Sequence, residues 1–192
     1  MFNLKVLIGC EESQTITKLF RNIGVPAYSC DILPTRGNPD WHYKEDILNI
    51  IPIEKWDLII LHPDCTCLAV SGNGTYARGK PGYNKRLYSI GWTLELWDLA
   101  KKHSKRVALE NPVSVIFKYL PNVQYIQPWQ FGHGETKKTG LALHNLPKLK
   151  PTNIVDGREP RIHKMGPGIH RKRDRSETYI GIAKAMRSQW LI

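Results

Sequence analysis

The sequence predicts an α/β fold: a mostly parallel sheet covered by helices. Three observations carry that prediction. The apolar runs VLI at 6–8 and DLIIL at 57–61 are continuous rather than alternating, as strands buried on both faces must be. Segments with helical spacing lie between such runs, so strand and helix alternate along the chain. Nearly every predicted strand also runs out into acids, cysteines or an amide, and that is the edge at which open parallel sheets bind ligands.

The elements follow in order. Val6–Leu7–Ile8 runs into Gly9 as a first strand. ESQTITKLFRNIG (12–24) places Ile16, Leu19, Phe20 and Ile23 at helical spacing, and Gly24 closes that helix. VPAYSCDI (25–32) reads as a strand ending near Asp31, and LPTRGNPDWHYKED (33–46) as irregular chain. ILNIIPIEKW gives a short helix or turn before the buried strand at 57–61. A glycine-bearing basic stretch, 72–86, precedes an amphipathic helix over 86–103, with Leu87, Ile90, Leu94, Trp97 and Leu99 apolar. RVALEN (106–111) is a strand ending in Glu110–Asn111, PVSVIFKYL a short helix, and VQYIQPWQF and TGLALHNL the last two strands. The polar, basic segment 147–177 reads as a long loop, and YIGIAKAMRSQW (179–190) as a closing helix.

With 192 residues, 41% of them hydrophobic, the chain is expected to form one domain, 1–192, with the basic loop inside it. No apolar run reaches membrane length and no secretion signal opens the chain, so a cytoplasmic protein with reduced thiols is expected. The four cysteines (Cys10, Cys30, Cys65, Cys67) lack C-x-x-C spacing, which argues against both a disulfide framework and a metal site. The formal charge is +11, with clusters at 77–86, 101–106 and 158–175. A polyanionic partner is expected, nucleic acid before a membrane surface.

The strand ends are weak signals one at a time. IGCEES (8–13) is a tight strand-to-helix turn without the full G-x-G-x-x-G of a dinucleotide site. Asp31 stands where Rossmann-like folds hold a ribose, or is a turn residue. Asp46 is a second candidate, or merely the N-cap of the next helix. Glu110 ends an apolar strand, where an unpaired carboxylate is costly, so a partner is expected. Cys65 lies in LHPDCTCLAVSG (61–72), on the turn where a buried strand runs out.

In order, these stretches resemble the cytosine-5 DNA methyltransferases, most closely the short phage-type DNA cytosine methyltransferase-like proteins, over most of the chain. LIGCEES resembles the family's cofactor loop, with Gly9 on its first glycine and Glu11 and Glu12 where its glycine pair stands. YSCDI resembles the ribose-holding motif through Asp31, and YKEDI the adenine-side motif through Asp46. Pro63–Asp64–Cys65–Thr66 resembles the family's Pro-Pro-Cys-Gln, and Gly72 keeps its spacing from the cysteine. LENP matches Glu-Asn-Val through Glu110 and Asn111, and FGHGETKKTGLAL is a looser match with Lys137 and Lys138 for arginines.

The resemblance implies a single Rossmann-like domain of the class I methyltransferase type, S-adenosyl-L-methionine as cofactor, DNA as substrate, and a phage-infected bacterial cytoplasm. It implies Gly9, Cys10, Glu11, Glu12, Asp31, Ile32, Asp46, Ile47 and Pro63 around the cofactor, and Cys65, Glu110 and Asn111 in catalysis. Cys65 would add to carbon-6 of cytosine so that carbon-5 can take the methyl group, while Glu110 protonates ring N3. Cys65 then needs a lowered pKa, whereas Asp64 beside it tends to raise it. Arg78, Lys80, Lys85, Arg86, Lys137, Lys138, Arg171, Lys172 and Arg173 are the expected phosphate contacts, and the 72–86 stretch a segment that closes over substrate. No room remains for a separate target-recognition domain, so sequence specificity should be slight, and a homodimer is one way to widen the contact. Two other readings stay open: a non-catalytic phage nucleic-acid-binding protein, and an enzyme acting on free pyrimidine nucleotides.

Overall fold

The computed structural model describes residues 4–191 except Pro167 and His170; for residues 163 and 171–173 it describes the backbone alone. The α/β expectation holds. Seven strands form one sheet in the order β3-β2-β1-β4-β5-β7-β6. β1 (Val6–Gly9), β2 (Ala27–Asp31), β3 (His42–Lys44), β4 (Leu58–Leu61) and β5 (Val107–Pro112) are parallel. β7 (Thr139–His144) runs antiparallel between β5 and β6 (Val123–Ile126).

The two central strands, VLIG and LIIL, are buried along their whole length. Successive side chains of a strand point to opposite faces, so each strand feeds two cores. Val6, Ile8, Leu58 and Ile60 pack beneath α1 (Thr15–Arg21) and α7 (Ile180–Trp190), against Ile16, Phe20, Ile182, Met186 and Trp190. Leu7, Ile59, Leu61 and Leu109 pack beneath α2 (Ile47–Ile50) and α4 (Tyr83–His103), against Ile47, Leu96, Trp97 and Ala100. Strand order reverses between β1 and β4, which opens a crevice beyond their carboxyl ends. Because β7 is antiparallel, its first residues lie at that same edge: Thr139 pairs with Pro112 and Gly140 with Asn111.

Three expectations are corrected. The segment 33–46 is not wholly irregular: it forms a 3-10 turn, Pro39–Trp41, and the edge strand β3. Three half-polar residues on a sheet edge leave no hydrophobic pattern to read. The glycine-bearing stretch is not an open loop either. A 3-10 turn (Val70–Gly72) and α3 (Asn73–Tyr76) fold it, and α4 starts at Tyr83. Leu87 is exposed, since the buried stripe of α4 belongs to its second half, Thr93, Leu96, Trp97 and Ala100. The basic segment 147–177 carries α5 (Arg161–Lys164) and α6 (Arg171–Ser176), and is pinned to the chain before β7 by bridges Phe131–Asn153 and Glu135–Glu159. Among the described residues no helix is long and apolar enough to cross a membrane.

The closing helix docks through a glycine. A Cβ on Gly181 would stand 1.8 Å from the Phe131 carbonyl oxygen, and the Gly181 amide donates to His133 Nε2 at 3.0 Å. The obstacle is backbone and cannot swing away. Gly181→Ala is expected to destabilise the fold by about 3 kcal/mol, measured as a lower urea midpoint with unchanged slope.

Candidate active site

The site is assembled where β1, β2, β4 and β5 run out and β7 begins. After β1 the chain passes through Gly9, whose Cβ would meet Leu61 at 2.9 Å and Ile47 at 3.0 Å, and turns at Cys10 with φ of 60°. Glu11 then buries its carboxylate at the start of α1. Oε1 accepts from the Ile16 amide at 2.6 Å, and Oε2 from the Thr17 hydroxyl at 2.6 Å and amide at 3.3 Å. The chain's own carboxylate therefore takes the amides on which dinucleotide folds seat a pyrophosphate. Burial pushes the Glu11 carboxyl up, against the pull of those bonds and of His62. Glu12 accepts from Arg36 Nε at 3.2 Å, and Arg36 also faces Glu177.

Gln14, buried and left-handed at φ 57°, ties this turn to the next strand. Nε2 donates to Ser29 Oγ at 3.0 Å and the Asn38 carbonyl at 2.9 Å, and Oε1 accepts from the Asn38 amide at 2.7 Å. At the end of β2, Asp31 Oδ1 accepts from the Leu33 amide at 2.9 Å, and Ile32 is 72% exposed. Asp46 caps α2, accepting from the Leu48 amide at 3.0 Å. The Ile47 side chain is a correction: it is buried under Gly9 and faces the core rather than the cleft. In a chain of net charge +11 this edge is acidic. Burial first, then Asp31, Cys30, Asp46 and Asp64, pushes the Cys10 thiol up.

The cysteine-bearing turn follows β4. The His62 amide donates to the Gly9 carbonyl at 2.9 Å, which holds the two turns together. Pro63 is buried, and its carbonyl accepts from Asn111 Nδ2 at 3.0 Å. Asp64 Oδ1 accepts from the Thr66 amide at 2.9 Å and hydroxyl at 2.6 Å. The two residues that depart from the Pro-Pro-Cys-Gln pattern thus bond to each other across Cys65. The Cys65 carbonyl accepts from the amides of Leu68 (3.1 Å) and Ala69 (2.8 Å). Cys65 itself is half-buried. Burial, then Asp64 and Glu110, pushes its thiol up, and Lys137 alone among the nearby charges pulls down. The thiol is thus raised, in the direction that Asp64 beside it was expected to give, and the lowering that the covalent chemistry needs is absent in the free chain. Neutralising Asp64 in Asp64→Asn should lower the thiol pKa and speed iodoacetamide alkylation of Cys65 several-fold at pH 8, read by peptide mass spectrometry.

Glu110 and Asn111 end β5. His62 Nδ1 lies 3.3 Å from Glu110 Oε2. Burial would raise the Glu110 carboxyl, but the His62 contact and the nearby Lys137 hold it below the usual carboxylate range. Asn111, called catalytic from the sequence, is 1% exposed and clamps the Cys65 turn through Pro63, so its amide nitrogen supports the site rather than entering it. Lys137 faces Cys65 and Glu110 while its ammonium donates to the Arg175 carbonyl at 2.8 Å and contacts that of Glu177 at 3.5 Å. Its ammonium is thus engaged by the backbone at 175–177 instead of standing free on an open phosphate surface.

Of the other expected phosphate contacts, Arg78, Lys80, Lys85 and Lys138 are exposed, and Lys138 Nζ stands 4.6 Å from the Tyr125 ring centre. Arg86 is a correction. It is 5% exposed, and its guanidinium donates to Cys67 O (2.6 Å), Asn73 Oδ1 (2.8 Å) and Ala69 O (3.2 Å), fastening the turn behind Cys65. The side chains of Arg171, Lys172 and Arg173 lie outside the described residues. Sequence reasoning missed His62, Gln14 and Arg36. His62 carried one usable signal, its place at a strand end directly before Pro63.

Neither a scan against protein-family models nor a search of curated proteins returns a match. Among solved structures the chain is similar to a candidate DNA modification methyltransferase encoded within an E. coli prophage. The TM-score is 0.53 at 10% identity, over 87% of this chain and 56% of that one. It is also similar to the bifunctional kinase-methyltransferase WbdD, with a TM-score of 0.46 at 13% identity, over 76% of this chain and 36% of that one. The chain thus spans little more than half the length of the first relative and about a third of the second. The likeness to the first shows the fold: a mostly parallel α/β sheet that is shared with a solved protein of that description.

Proposed function

We propose that this chain transfers a methyl group from S-adenosylmethionine to carbon-5 of cytosine in nucleic acid, DNA foremost, through a covalent bond to Cys65. The observation that carries the reading is the meeting of Cys65 and Glu110. They come from neighbouring strand ends, near enough that the Glu110 charge helps push the Cys65 thiol up, and share the edge where Glu11, Asp31 and Ile32 gather. An acidic rim in a basic chain suits a cationic ligand bearing a sugar and an apolar ring, and S-adenosylmethionine is one. Asp31 would hold its ribose and Ile32 its adenine, and when bound it supplies an electrophilic methyl on a sulfonium.

The chain's own residues do the rest. The Cys65 sulfur bonds to carbon-6, the ring electrons shift toward carbon-5 and N3, and Glu110 gives N3 a proton; once carbon-5 carries the methyl group, its hydrogen leaves as a proton to water, N3 gives up its proton, and the sulfur–carbon-6 bond breaks to restore the ring and free Cys65. In the free chain the thiol holds its proton and Glu110 is ionised. Passing one proton from Cys65 to Glu110 makes the required thiolate and acid together, with no net change of charge. Exposed Arg78, Lys80, Lys85 and Lys138 favour a polyanion over a free nucleotide.

Calorimetry with S-adenosylmethionine tests the first half of the reading, and absence of binding at millimolar ligand would sink it. A labelled-methyl assay over duplex DNA, single-stranded DNA, RNA and dCMP tests the second. A gel-stable adduct with DNA containing 5-fluorocytosine is expected, and methyl transfer without such an adduct would remove the covalent step.

A further inference from the structure

We propose that His62 is a positioning residue for this reaction, orienting the Glu110 carboxylate and donating to it while Glu110 turns its other oxygen to ring N3 of the pyrimidine. The inference rests on the function proposed above, and the geometry that supports it is independent of any ligand. His62 is anchored by its amide to Gly9, so its ring has a fixed origin between the two turns of the site. From there it contacts Glu110 from β5 at 3.3 Å and alters the field at Glu11 in the turn after β1. Glu110 in turn faces Cys65 from the turn after β4 and Lys137 from the chain before β7. With a carboxylate as partner, Nδ1 is the nitrogen that carries hydrogen.

The other ring nitrogen makes the case sharper. Nε2 is buried and has no hydrogen-bond partner among the described residues. A histidine that leaves half its polar capacity buried and unused is a poor way to fill space, since an aliphatic side chain would carry no such penalty. What the imidazole adds is the bond to Glu110. That bond favours the ionised carboxylate, so it makes the protonated Glu110 a stronger acid toward N3. The addition step balances within the site. The Cys65 proton passes to Glu110 and on to N3, the sulfur–carbon-6 bond replaces the carbon-5–carbon-6 π bond, and Glu110 returns to the carboxylate that His62 stabilises.

The test compares His62→Leu, which removes the donor, with His62→Asn, which keeps an N–H near the place of Nδ1. The first readout is carbon-13 NMR of the Glu110 carboxyl in the full chain, assigned by Glu110→Gln. The carboxyl should titrate below 4.5, an ordinary glutamate, in the parent, above the parent value in His62→Leu, and between the two in His62→Asn. The second is the pH profile of methyl transfer to DNA. Its acid limb should move to higher pH in His62→Leu, with kcat down about 10²-fold, KM for DNA unchanged, and partial rescue in His62→Asn. A Glu110 titration unmoved in both variants overturns the proposal, as does an unmoved acid limb. If His62→Leu does not fold, His62→Asn decides alone by the same two readouts. If the parent methylates no pyrimidine, the proposed function falls and with it the catalytic use of the pair, while the titration still decides whether His62 governs Glu110.

Discussion

The Cys65→Ala protein is expected to bind S-adenosylmethionine as the parent does and to transfer no methyl group above background. The described hydrogen bonds of this turn run through the Cys65 carbonyl, and the Asp64–Thr66 bonds pass beside it. Removing the sulfur therefore leaves the scaffold and takes away the group that the proposed mechanism uses to make carbon-5 nucleophilic. The same expectation has a pH signature. If the proton moves from thiol to Glu110 inside the site, the competent form is the singly protonated pair, whichever group holds the proton. The rate should then be flat across roughly pH 6 to 8, falling on the acid side as Glu110 binds a second proton and on the alkaline side as the thiol loses its own. Both limbs lie far out, because Glu110 is held low and Cys65 high. A rate rising about tenfold per pH unit through neutrality would instead mean that the thiol proton is lost to solvent, with Glu110 no part of the relay.

The site was only half legible in the sequence. The strand ends were readable because a continuous apolar run such as LIIL has to stop somewhere, and the polar residue after it marks the place. Cys65, Glu110, Asp31 and Glu11 all emerge at one edge for that reason. Side-chain direction and partner choice are tertiary facts and left no such trace. Asp64 read as a threat to the thiol, and it does raise it, but its bonds to Thr66 also shape the turn that presents Cys65. Asp46 proved to be the cap that its place before a helix allowed. Ile47 followed it into the core, because Gly9 leaves room there for an isoleucine. β3 could not be read from His42–Lys44, since its pairing partner β2 supplies the order that three polar residues lack.

The same limit governs Lys85 and Arg86, neighbours that the sequence presents as one basic pair. Lys85 is exposed at the start of α4, whereas Arg86 turns inward and spends its planar fork on Cys67 O, Ala69 O and Asn73 Oδ1. Arg86→Ala strands two carbonyls of the turn behind Cys65 and leaves a void, and is expected to cost about 3–5 kcal/mol in urea unfolding. Arg86→Lys keeps the charge but offers a point donor where three acceptors need a fork, so it should recover only part of that loss. Because the turn is pinned from this side, both variants should also expose Cys65 and speed its alkylation. Lys85→Ala should do neither. Its stability should stay within about 0.5 kcal/mol of the parent, while binding to DNA weakens and the salt dependence of binding falls by about one unit of slope. Opposite outcomes at adjacent positions would separate an exposed charge proposed to meet a polyanion from the charge that builds the Cys65 turn.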